Sequence, residues 1–166
     1  MKILKYLLAG TILASALPLA AQEPVVGVDD PESLFEGGRT AEERRNKQAA
    51  LHIMRELLQC NQWDRAGEWI TDQYLQHNPN AESGLAGVVY YFTEVVGRVP
   101  TETCDELTTE VVAVMAEGDL VTVIMPRQYP DPRNEGETYY TTWFDTWRFV
   151  DGKADEHWDP ATIAAP

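Results

Sequence analysis

The stretch TTWFDTWRFVDGKADEHWDP, Thr141–Pro160, holds three of the chain's five tryptophans, five acids and one of its three histidines. Its apolar residues alternate with polar ones up to Asp151-Gly152, the dipeptide that a two-residue hairpin turn demands. A strand over Thr138–Val150 and a return strand over Lys153–Trp158 follow from that spacing. In a regular register Val150 lies opposite Lys153, Trp147 opposite Glu156, and Asp145 opposite Trp158. Alternation then puts Trp143, Asp145, Trp147, Phe149, Glu156 and Trp158 on one face. Phe144, Thr146, Arg148, Asp155, His157 and Asp159 take the other, with Arg148 opposite Asp155. Only a bulge in the hairpin would bring His157 to the face of Asp145.

The first face decides the functional question. Two carboxylates among three indoles are either satisfied by indole N–H groups and inert, or desolvated into useful proton carriers. Both readings stay open on the residues alone.

Upstream, the elements are read in turn. Val112–Ala116 and Leu120–Met125 flank Glu117-Gly118-Asp119, a second hairpin with a positive φ expected at Gly118. Before it the period is helical. Thr40-Ala41-Glu42-Glu43 forms a capping box, and Ala50, Met54, Leu57 and Leu58 recur on one face. A short helix is expected from Asp64 to Ile70, and the polar run TDQYLQHNPN after it reads as irregular chain ended by Pro79. A third helix, capped by Ser83, carries Leu85, Val88, Val89, Phe92, Val95 and Val96. Helices first and an antiparallel sheet afterwards predict an α+β fold.

At 166 residues and 44% hydrophobic, the chain has room for one domain with a real core. Its net charge of −14 argues against nucleic acid or an anionic membrane surface as a partner. Residues 1–21, with Lys2, Lys5, an apolar run and Ala20-Ala21, have the layout of a secretory signal peptide. Cleavage after Ala21 would remove two of 13 basic residues, leaving 11 − 27 = −16. No membrane association is expected afterwards, and the protein would be exported, periplasmic or secreted. Residues 22–38 read as a flexible acidic lead-in and 39–166 as the domain. Export would let Cys60 and Cys104 pair, although sequence does not show that their backbones approach. His52, His77 and His157 lie on separate elements without ligand spacing, so no metal site is expected.

Four segments, YLQHNPN (Tyr74–Asn80), GLAGVVYYF (Gly84–Phe92), AEGDLVTV (Ala116–Val123) and FDTWRFVDGKADEHWD (Phe144–Asp159), resemble SnoaL-like proteins of the nuclear transport factor two-like superfamily. The resemblance covers roughly residues 42–166. It implies a cone-shaped α+β barrel, with helices closing a curved sheet around a pocket, and a homodimer formed through the sheet. It also implies polyketide-cyclase-like acid/base chemistry without a cofactor, with Asp145 as the catalytic carboxylate. Trp143, Trp147, Trp158, Glu156, His77, Asn78 and Tyr74 become the candidate substrate-binding residues. His77 either lines the pocket or caps its loop. Ile124 stands where relatives carry a histidine, which would remove a proton-transfer partner. The expected function is acid/base catalysis on a small apolar carbonyl compound, as an aldol-type cyclase, isomerase or lyase. The alternative is a binding protein that holds a hydrophobic small molecule outside the cytoplasm.

Overall fold

In the computed structural model, which describes residues 23–163, the capping box starts the first helix, α1, at Ala41–His52. The Thr40 hydroxyl accepts from the Glu43 backbone N–H at 3.0 Å, and the Glu43 carboxylate accepts from the N–H groups of Arg39 and Thr40. Gly118 N–H also donates to Glu43, at 3.3 Å, so one buried side chain ties the helix start to a hairpin turn. The signal-peptide assignment, residues 1–21, lies outside the described residues.

Widened π turns over Ile53–Gln59 extend α1, and others over Tyr91–Val95 extend a second helix, α2, at Leu85–Tyr90. Such turns are rare overall and frequent at functional sites. A 3-10 turn at Trp63–Glu68 occupies the place of the expected short helix. Ser83 does not cap α2. Gly84, at φ 92°, holds the N-cap position, and the Ser83 hydroxyl instead accepts from Gln76 N–H at 3.0 Å.

Five strands follow the order β1-β5-β4-β3-β2: β1 Ile70–Gln76, β2 Ala113–Glu117, β3 Leu120–Pro130, β4 Thr138–Val150 and β5 Lys153–Trp158. The sheet is open, with β1 and β2 as its edges, and does not close into a barrel. β1 is the strand that the sequence hid. Its TDQYLQ residues are polar because only Ile70 and Tyr74 are buried, and it pairs parallel to β5 while the other pairings are antiparallel. The two turns behave as expected, with Gly118 at φ 60° and both Asp151 and Gly152 at positive φ.

The core lies between the helices and the inner sheet face, around Met54, Leu57, Trp63, Val121, Val123 and Trp147. The segment read as a lead-in contributes to it. Glu32–Phe35 makes a 3-10 turn and Phe35 is fully buried, so the packed region begins before residue 39. Burial of Phe35 offsets part of the freedom that the short segment loses, and the Arg55–Glu32 ion pair and the Gln48 hydrogen bond to the Phe35 carbonyl add to it. Cys60 and Cys104 form a disulfide, with Cα atoms 6.0 Å apart. No helix among the described residues is long and apolar enough to cross a membrane.

Candidate active site

A bulge in β5 decides the site. Val150 faces Lys153 and Phe149 faces Ala154 as a regular hairpin requires, but Arg148 then faces Glu156, leaving Asp155 as the extra residue. Beyond it every side chain changes face. Trp147 lies opposite His157, and Thr146 opposite Trp158. The bulge has a visible anchor, because the Thr71 hydroxyl donates to Asp155 at 2.6 Å while accepting from Tyr74 N–H. The neighbouring β1 ladder is irregular over the same stretch.

The expectation for His157 is therefore corrected, as are those for Glu156 and Trp158. His157 turns inward and reaches Asp145, Nε2 to Oδ1, at 3.1 Å; each residue is 6% exposed. Glu156 and Trp158 turn to the outer face. There Glu156 accepts from His77 at 2.8 Å and from Arg148 at 3.1 Å, while His77 stacks on Trp158. The His77 hydrogen bond, opposed by partial desolvation and helped by Arg148, holds the Glu156 carboxyl below its ordinary pKa. None of His77, Glu156 and Trp158 lines the cavity. Arg148 also pairs with Asp119 at 2.7 Å rather than with Asp155.

The inner face encloses a cavity of about 680 Å³. The π turns supply its apolar end through Ile53, Met54, Leu58 and Phe92, with Met125 from the sheet. Tyr74, Gln76, Asn78, Asp145, His157 and Asp159 make a polar end, and Trp143 and Trp147 join the two. Tyr91 lines the cavity, whereas Tyr90 is exposed. Ile124 sits among outward-facing residues, opposite Ala113 and Phe144, while Val123 and Met125 on either side of it are buried. Isoleucine at that position therefore takes no donor from the cavity.

Hydrogen-bond bookkeeping fixes the protons. Asn78 backbone N–H donates to Gln76 at 3.0 Å, so the atom it meets is the amide oxygen. The same oxygen lies 2.9 Å from His157 Nδ1, which must then be the donor. With Nδ1 protonated, a hydrogen bond between Nε2 and Asp145 needs one further proton, which the pair shares. Asp145 Oδ1 also accepts from Trp143 N–H at 3.0 Å. Its Oδ2 has no hydrogen bond among the described residues, so one oxygen is fixed and the other is open to a ligand.

Tyr74, one of the candidate binding residues, supplies a donor. It is 3% exposed, and its oxygen accepts from Trp147 N–H at 3.3 Å. Burial, outweighing that hydrogen bond, pushes its phenol far above the ordinary pKa, so it stays a neutral donor. Asp159 also belongs to the polar end, where it accepts from Asn78 Nδ2 and Ala161 N–H. Asp145, His157 and Asp159 place ligand atoms within 4.8 Å of one another, close enough to meet a cation. Each of these side chains also holds hydrogen bonds to its neighbours.

A family model described as SnoaL-like domain matches residues 51–157. No curated protein matches the chain. Among solved structures, one from Jannaschia sp. CCS1 bearing the name of a SnoaL-like polyketide cyclase is 18% identical, with a TM-score of 0.51. That match covers 75% of this chain and 92% of the other. A second, from Acidithiobacillus ferrooxidans and bearing a polyketide cyclase name, is 16% identical with a TM-score of 0.50, over 69% and 86% of the two chains. At such identities the structures establish the fold, and the family model covers most of the domain. The chain belongs to the SnoaL-like family.

Proposed function

We propose that this protein is an exported acid/base enzyme acting on a small apolar carbonyl compound, of the aldol-type cyclase or isomerase kind. The observation that carries the reading is Asp145, a buried carboxylate with Oδ1 fixed by Trp143 and His157 in a cavity whose other end is apolar. In the proposed step Asp145 Oδ2 takes a proton from the carbon next to the substrate carbonyl. The electron pair moves onto the carbonyl oxygen, where the Tyr74 hydroxyl would stabilise the enolate. The enolate carbon then attacks a second carbonyl of the same molecule, whose oxygen takes the proton back from Asp145, or the enolate regains that proton at a different carbon. His157 holds the carboxylate in place and balances its charge.

The Cys60–Cys104 disulfide supports export, since such bonds persist in oxidising compartments. A homodimer through the outer sheet face, where Phe144 and Met115 are exposed, remains part of this proposal.

Hydrogen–deuterium exchange next to the carbonyl of aryl methyl ketones, followed by NMR in D₂O, tests the reading without knowledge of the natural substrate. Asp145→Asn should lower exchange by ~10²–10⁴-fold with ligand affinity retained. Unchanged exchange in that variant would remove Asp145 from the chemistry. A protein that binds these ketones but exchanges none of them would be a binding protein instead.

A further inference from the structure

The cavity wall holds a cation that the proton chemistry does not use. Arg127, on β3, is half-buried and lines the cavity, and its guanidinium lies over the Trp143 ring, 5.7 Å from the centroid. Its one hydrogen bond among the described residues goes to the Pro126 carbonyl, at 3.2 Å. No carboxylate pairs with it there. Arg39, Arg55, Arg65, Arg133 and Arg148 hold acid partners, whereas Arg98, which also lines the cavity, is exposed and donates to the Leu58 carbonyl; Arg127 is the one beside Trp143. The acids of the cavity are committed elsewhere, Asp145 to His157 and Trp143, and Asp159 to Asn78 and Ala161.

Trp143 joins this cation to the reacting end. Its ring face carries the Arg127 guanidinium, while its N–H holds Asp145 Oδ1. A ligand lying along the indole would meet both. From this arrangement we infer that the apolar carbonyl compound carries one anionic group, so that the ligand is an enolisable carbonyl compound with an apolar body and a carboxylate. The acid group would sit on Arg127 and the carbonyl beside Asp145 and Tyr74. The inference rests on the acid/base reading for the carbonyl, and on Arg127 alone for the anion.

Two electrostatic effects compete here. The net charge of −14 repels anions at long range, whereas Arg127 attracts at contact. At physiological salt the screening length is about 8 Å, so most of the distributed repulsion is damped while a half-buried contact is not. The local guanidinium should win. Arginine also offers two parallel donors that match a carboxylate.

The experiment compares 2-naphthoate with 2-naphthamide, a neutral probe of similar shape, by calorimetry at 0.15 M salt. A charge-assisted contact predicts that the wild type favours the carboxylate by about tenfold. Arg127→Met should abolish the preference and Arg127→Lys should keep part of it, with both variants shown to be folded by their melting curves. Asp145→Asn should leave the preference in place, which separates this test from that of the proton chemistry. Equal affinity of the two probes, failure of both to bind, or an unchanged preference in Arg127→Met would overturn the inference.

Discussion

At the scale of single residues, partners decide what each charged group does. Asp131 lies in the loop between β3 and β4, where Arg133 donates to it from side chain and backbone and Asn134 adds a weaker bond. The Arg133 side chain is the main cause, and the Asp131 pKa falls from 3.8 to about 2. Because the folded value is depressed, the clamp's contribution to stability is fully present above pH 3.8 and is lost as pH falls through about 2. Carbon-13 NMR titration should place the Asp131 midpoint near 2, returning to the ordinary value in Arg133→Ala. An ordinary midpoint in the wild type would contradict the clamp. The key residues of the cavity were only partly legible. Asp145, Trp143, Trp147, Tyr74 and Asn78 line it as alternation and the family resemblance suggested. Gln76 stood only within the YLQHNPN segment that carries the resemblance, with no role assigned, and Arg127 gave no signal, because an arginine in a polar run looks like surface until its neighbours are known.

At the scale of elements, strong periodicity and turn chemistry were readable, and irregularity was not. The capping box of α1 and both hairpin turns depend on side chains a few residues apart, so local sequence specifies them. The bulge at Asp155 depends on Thr71, which is 84 residues away. Nothing local announces that contact, and one extra residue exchanged the places of His157, Glu156 and Trp158. β1 was hidden for a related reason, since an edge strand with two buried residues shows almost no alternation. The disulfide also joins distant elements. It fastens the end of the first helical unit to the segment before β2, where Gln59 further accepts from the Thr108 and Thr109 backbones. Closing a loop with a separation of 44 residues should contribute about 4 kcal/mol in the chain-entropy model. Replacing both cysteines by serine should cost roughly that much in chemical denaturation while the domain still folds, since the main core lies elsewhere. Near-ultraviolet circular dichroism typical of an unfolded chain would contradict this.

Over the whole molecule, an open sheet and two helical units enclose one cavity with an apolar end and a proton-carrying end. The π turns widen the first end, and the β5 bulge builds the second. The α+β class was legible because helical and strand periods occupy separate halves of the sequence. The openness of the sheet and the parallel β1–β5 pairing were not, since both depend on where a polar strand docks. What the fold achieves is the pairing of Asp145 with His157 across two strands. If that pair works as a unit, the two groups are strongly coupled, and losing either disables the other. The most direct measurement is a double-mutant cycle on ketone exchange with Asp145→Asn, His157→Gln and the combined variant. The account predicts that the combined variant is no slower than Asp145→Asn alone. Losses that simply multiply would show two independent residues and contradict it.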